Sequence, residues 1–169
     1  MKRIIVIIAA LAVCVSAAAQ PKAIGARFGY GADNFVGAEF SYEHNLSLFN
    51  RADDFLELEV GAFADNNGFK GTAMYNFTIW KPEWTDRGDW GMYLGPGIGA
   101  GLLRYYDVAA DAYYLRPLID LEFQFGVEYT FWFPLQVSAD IRPFIGYQVN
   151  GKGFYPHLFS VNLAARYAF

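Results

Sequence analysis

Apolar and polar residues alternate with a period of two along most of this chain. In residues 157–169, Phe159, Val161, Leu163, Ala165, Tyr167 and Phe169 form one face, while Ser160, Asn162, Ala164, Arg166 and Ala168 form the other. That is the pattern of a strand with one apolar side. Seven earlier segments repeat it. Residues 24–30 set Ile24, Ala26, Phe28 and Tyr30 against Gly25, Arg27 and Gly29; residues 36–43 set Val36, Ala38, Phe40 and Tyr42 against Gly37, Glu39, Ser41 and Glu43. Residues 56–62 carry Glu57 and Glu59 on their polar side, and residues 69–79 carry Lys70. Residues 90–102 oppose Trp90, Met92, Leu94, Ile98, Ala100 and Leu102 to a face of Gly91, Tyr93, Gly95, Gly97, Gly99 and Gly101. Residues 119–131 hold Asp120, Glu122 and Glu128 on the polar side, and residues 135–142 hold Asp140 and Arg142.

The connections between these segments are rich in turn formers. Turns are expected at residues 31–33, 44–53 and 65–68, at the breaker-rich stretch 80–89, and at 132–134, with loops at 105–116 and 150–156. Pro96 and Pro143 each remove a ladder donor, so a bulge or strand end is expected at both. Eight amphipathic strands of about ten residues, rising about 3.3 Å per residue and tilted about 40°, cover roughly 25 Å. This predicts an all-β, eight-stranded, antiparallel up-and-down transmembrane barrel.

Alternation alone leaves open a soluble lipocalin-like carrier, in which the apolar face would point inward. Three features favour the inverted arrangement. The apolar face carries no Lys or Arg in any of the eight strands. The other face gathers Glu39, Glu43, Glu57, Glu59, Asp120, Glu122, Glu128 and Asp140 with Arg27, Lys70, Arg142 and Arg166, which can pair within a lumen. The glycine face of residues 91–101 would weaken a strand facing water, but facing a narrow lumen it makes room for large polar side chains opposite. The tryptophans Trp80, Trp84, Trp90 and Trp132 all fall beside connections at one end, as an interfacial belt would. Tyr105, Tyr106, Tyr113, Tyr114, Phe154 and Tyr155 would form the girdle at the other.

The N-terminus adds a compartment. Lys2 and Arg3 precede an apolar run over residues 4–13, and Ser16-Ala17-Ala18-Ala19 precedes Gln20. This reads as a cleavable signal peptide over residues 1–19, leaving a barrel domain over residues 20–169. The only cysteine, Cys14, lies within the signal. Losing Lys2 and Arg3 takes Lys+Arg from 13 to 11 against 17 acids, so the net charge moves from −4 to −6. An acidic chain with no basic run is not expected to bind nucleic acid.

The terminal Tyr167-x-Phe169, the stretch Gly37-Ala-Glu-Phe-Ser-Tyr42, the alternating glycines 97–101 and Pro134-Leu-Gln136 resemble the small OmpA/OmpX-type outer-membrane barrels, especially the compact barrel proteins of Bacteroidetes-type bacteria. The resemblance implies a Gram-negative outer-membrane location with both termini periplasmic. It also implies that Tyr167 and Phe169 act as the insertion signal read by the barrel-assembly machinery.

Dedicated chemistry is sparse. The glycine run 95–101 lacks the following helix a dinucleotide loop requires, and no cofactor is expected. Lipid A-modifying enzymes that share this architecture use His with Ser and an acid. Here His157 and Ser160 are three apart on one strand and are expected on opposite faces. The chain therefore reads as a non-enzymatic structural or surface-interaction protein with a side-chain-plugged polar lumen, its lipid bilayer the principal partner. A narrow solute or ion channel, a lipid A-modifying enzyme and the lipocalin-like carrier remain alternatives.

Overall fold

A computed structural model describes residues 21–31, 37–46, 53–63, 68–151 and 153–169. The expected signal peptide, the turns at 32–36, 47–52 and 64–67, and the side chain of Tyr155 lie outside the described residues. Ten hydrogen-bonded segments follow in order: β1 (Pro21–Gly31), β2 (Gly37–Asn45), β3 (Phe55–Phe63), β4 (Gly68–Trp80), β5 (Asp89–Asp107), β6 (Ala112–Thr130), β7 (Gln136–Ile141), β8 (Phe144–Gln148), β9 (Gly153–His157) and β10 (Ser160–Ala168). Every pairing is antiparallel. No helix occurs among the described residues.

The ten segments make eight staves. β7 and β8 both lie against β6 and are halves of one stave. β9 pairs with β8, while β10 pairs with β7, so these two are halves of the last. β10 also pairs with β1 from Ala23↔Ala168 to Gly31↔Ser160, and β5 pairs with β6, which closes the sheet. Closure leaves no sheet edge around the wall.

Both prolines sit where a donor is dispensable, in different ways. Pro143 breaks the seventh stave; its carbonyl accepts from the Phe123 N–H at 3.0 Å, and the Arg142 N–H donates to the Ser160 carbonyl at 3.1 Å. Pro96 marks no strand end. It lies inside β5 opposite Phe123, and the β4–β5 ladder jumps from Met74↔Gly97 to Phe77↔Leu94, so its missing N–H falls in the gap.

Two expected loops are mostly strand. Residues 105–116 continue the β5–β6 ladder through Tyr105↔Tyr114 and Tyr106↔Tyr113 to Asp107↔Ala112, leaving only residues 108–111 as a turn. Cross-strand tyrosine pairs stabilise the extension. The Asp107 carboxylate accepts from the Ala109 and Ala110 N–H groups at 3.0 and 3.3 Å, and Asp111 supplies the left-handed backbone with φ 49°. β4 pairing stops at Leu102 and backbone bonding to the β8 side at Pro117, so residues 104–116 project beyond the wall as a two-stranded ribbon. The expected loop 150–156 likewise shrinks, because β9 begins at Gly153 and Phe154 pairs with Tyr147.

The faces divide as the alternation requires. Val60, Ile98 and Leu121 are 65%, 61% and 69% exposed on the outside, whereas Arg27 and Glu57 are fully buried inside. No charged residue lies on the outward face between Ile24 and Tyr30, Ala38 and Tyr42, Leu56 and Ala62, or Phe69 and Ile79 in β1 to β4. The same holds from Trp90 to Leu102 in β5 and from Pro117 to Tyr129 in β6, and along β7, β8 and β10.

Candidate functional site: the filled lumen

Inward side chains fill the barrel in three tiers. At the ribbon end, Phe63, Leu103, Leu118 and Phe144 form an apolar cluster. His157 stacks on Phe144 with centroids 4.9 Å apart, and the Gln148 amide donates to the Leu103 carbonyl at 3.1 Å. At the end shared by both termini, Phe55 and Tyr93 meet edge to face at 5.3 Å, and the Lys22 ammonium sits 3.6 Å from the Phe55 ring centre.

The charged tier lies between, and the twelve residues expected to share the lumen converge there. Arg27 ion-pairs with Glu59 at 2.8 Å, with Asp140, and more distantly with Glu39 at 3.8 Å. Arg142 pairs with Glu59 and lies 3.6, 3.7 and 3.9 Å from Glu122, Glu57 and Glu39. Arg166 pairs with Glu57 and, at 3.1 Å, with Glu43; it also donates to the Ser41 and Ser138 hydroxyls at 2.8 Å each. Lys70 joins Glu122 at 2.5 Å to Asp120 at 3.1 Å. Glu128 is held by Lys22 at 2.7 Å and by the Gln136 amide at 2.9 Å.

Lys22 is a member that sequence alternation places on the wrong face. The β1–β2 register shifts between Pro21 and Ala23, and this irregularity re-phases the strand start so that Lys22 turns inward to Glu43 and Glu128. A second re-phasing corrects the expectation for His157 and Ser160. The last stave is interrupted at Leu158 and Phe159, so His157 is 2% exposed inside the barrel while Ser160 also lines an interior cavity. The Ser160 hydroxyl donates to the Asn162 side-chain carbonyl at 3.2 Å.

The glycine face of β5 makes room for this network. A Cβ at Gly99 would lie 2.6 Å from a Glu122 carboxylate oxygen and 2.7 Å from Lys70 Cε. One cavity among these side chains is small, about 30 Å³, bordered by Glu39, Lys70, Glu122, Arg142, Ser160 and Asn162, about the share of one water molecule. Eight carboxylates meet five cations in the network. Bridged this way, each arginine is an interstrand tie: β1 to β3 and β7 through Arg27, β10 to β2 and β3 through Arg166. Such ties add little net energy over an apolar core, but removing one partner strands buried charge at about 3–5 kcal/mol.

The expected interfacial aromatics also come together, at the termini end. Trp80 meets Trp84 at 5.6 Å, Trp84 meets Trp90 at 5.2 Å, and Trp90 meets Tyr129 at 4.7 Å. Tyr129 continues to Phe131 at 4.6 Å, and Phe131 to Trp132 at 6.0 Å. The Tyr129 hydroxyl and the Thr85 hydroxyl both donate to the Arg87 carbonyl, fixing the turn over residues 81–88. Gly88 closes that turn at φ +79°, where a side chain would strain the backbone. Tyr167 and Phe169 are outward and exposed, their rings 5.4 Å apart, and the Phe169 N–H donates to the Lys22 carbonyl at 3.1 Å.

Comparison with family models, with curated proteins and with solved structures returns no match, so side-chain placement alone carries the functional reading.

Proposed function

We propose that this chain is a small outer-membrane β-barrel protein with a structural or surface-interaction role and a plugged, non-conducting lumen. The observation that carries this reading is the inverted distribution of charge: a closed barrel whose exposed wall is uncharged and whose interior is ionic. An apolar belt running around a whole barrel far exceeds the few hundred Å² of contiguous apolar surface that soluble monomers tolerate. In a bilayer the same belt is solvated, and the closed ladder leaves no open sheet edge in the hydrocarbon. A lipocalin-like carrier would need the opposite distribution.

Within this reading the aromatic ladder from Trp80 to Trp132 lies at the periplasmic interface, beside both termini. The ribbon of residues 104–116 projects on the outside. Residues 1–19 export the chain, and Tyr167 and Phe169 are presented to the barrel-assembly machinery, as the resemblance to OmpA/OmpX-type barrels implies. The burial of His157 against Phe144 favours a packing role for it over lipid A chemistry. The excess of carboxylates over cations in the lumen favours one second reading, a narrow cation leak, which single-channel conductance in planar bilayers would reveal.

The test is fractionation followed by gel migration. The protein should require detergent for extraction and migrate as a compact band that shifts on boiling, and deleting Phe169 should abolish that band. Recovery as a soluble protein without a shift would refute the proposal.

A further inference from the structure

Three staves meet around the small cavity in the charged tier. Glu39 reaches it from β2, Glu122 from β6, and Arg142 from the break in the seventh stave, between β7 and β8. Arg142 pairs closely with Glu59, but its other carboxylate contacts are long. Its Nε lies 3.6 Å from Glu122 Oε2, and its Nη1 lies 3.9 Å from Glu39 Oε2. Arg27 Nε, the other cation beside Glu39, stands 3.8 Å from the same oxygen. All three separations exceed the roughly 2.7–3.2 Å of a direct hydrogen bond.

The atoms at one of these gaps also lack partners. Arg142 Nε and Glu122 Oε2 are both buried, and neither has a hydrogen-bond partner among the described residues. The Glu122 carboxylate is otherwise fixed, because its Oε1 takes Lys70 at 2.5 Å and the Thr72 hydroxyl at 3.1 Å. A buried donor and a buried acceptor left unmade beside each other call for a bridging group. The cavity they border holds about 30 Å³, which clears the roughly 10–15 Å³ that one water requires and is far below the size of a small-molecule site. Its lining is of mixed sign. An anion there would face Glu39 and Glu122, and a cation would face Arg142 and Lys70. A neutral molecule that both donates and accepts suits the two sets together.

We propose that the lumen binds one water at this point, accepting from Arg142 Nε and donating to Glu122 Oε2 and to Glu39. Three hydrogen bonds are the usual complement of a buried water, and bridging is the ordinary resolution of polar contacts longer than about 3.5 Å. The water solvates Glu39, which has no cation closer than 3.8 Å, and ties β2 to β6 beside the stave break. The ionic plug is then completed by solvent as well as by side chains. This inference concerns the lumen alone and holds whether the wall faces lipid or water.

A crystal structure of the folded barrel that shows ordered solvent tests it, with crystals soaked in rubidium and bromide as ionic probes. The expected result is a peak about 2.7–3.1 Å from Arg142 Nε, Glu122 Oε2 and a Glu39 oxygen, with no anomalous signal from either salt. Magnetic relaxation dispersion of the solvent should count one more long-lived water in wild type than in Glu39→Met, which removes an acceptor and fills the space with apolar atoms. Ser160→Val, which adds bulk at the cavity wall and keeps every charge, should give the same loss. A rubidium or bromide peak at the site would make the occupant an ion and overturn the proposal. Density with Arg142 Nε bonded directly to Glu122 and no peak between them would also overturn it, as would equal water counts in wild type and both folded variants.

Discussion

Val60→Arg separates a lipid-facing wall from a water-facing one. Val60 is 65% exposed on the outward face of β3, next to Glu59 near the middle of the strand. If the wall faced water, an arginine there would change stability by no more than about 0.5 kcal/mol, as at most exposed positions. Facing the bilayer midplane, it costs about 2–4 kcal/mol. At 1.4 kcal/mol per factor of ten, that is about a 30- to 700-fold loss in the folded-to-unfolded ratio. Val108→Arg is the internal control: Val108 is 81% exposed but lies at the tip of the ribbon, outside the belt, so its substitution should be near neutral. Urea titration in lipid vesicles, read by the fraction that still migrates as the compact unboiled band, gives both values. Equal midpoints for Val60→Arg and wild type would refute the assignment of this wall to lipid.

Four further outcomes follow from the lumen and the ribbon. Arg142→Met should destabilise the barrel by about 3–5 kcal/mol in the same titration, because Glu59 loses one of its two close cations, keeping only Arg27, and Glu39, Glu57 and Glu122 lose a nearby cation. Lys81→Met, by contrast, breaks an exposed pair with Asp53 and should cost no more than about 1 kcal/mol. Gly99→Leu should cost about 1–3 kcal/mol by overpacking, since its first added atom already meets Glu122 and Lys70. In the ribbon, the hydrogen bond that Tyr106 donates to the Asp111 carboxylate raises the phenol's pKa above its ordinary value. A Tyr106→Phe difference titration by ultraviolet absorbance should therefore show ionisation above the ordinary range, and Asp111→Asn should bring it down.

The sequence was most legible where one strand keeps one phase. In β3 and in β6, inward Glu57, Glu59, Asp120 and Glu122 alternate with outward Leu58, Val60 and Leu121 without interruption, and period-two counting places every one of them. It misled where the phase slips. Lys22 and His157 each lie beside an irregularity, the shift at Pro21/Ala23 and the break at Leu158 and Phe159, whose one local mark is the preceding proline, Pro21 or Pro156. The ribbon was hidden for another reason. Tyr105, Tyr106, Tyr113 and Tyr114 occupy both faces of a two-stranded extension, so no single apolar face appears and the segment reads as loop. The apolar tier of Phe63, Leu103, Leu118 and Phe144 was hidden because the first three lie at the ends of staves and Phe144 at the break within the seventh, where an inward apolar residue interrupts the polar alternation.

Site-directed spin labelling of β6 in lipid vesicles tests the membrane assignment most directly. Cysteines placed singly at positions 119 through 125 would carry the label, on a chain whose one native cysteine is Cys14. A lipid-facing wall requires that labels at the outward positions 119, 121, 123 and 125 collide frequently with dissolved oxygen and rarely with a water-soluble nickel chelate. Labels at the inward positions 120, 122 and 124 should be shielded from both. High nickel accessibility at the outward positions would contradict a membrane-spanning barrel and return the chain to the soluble class.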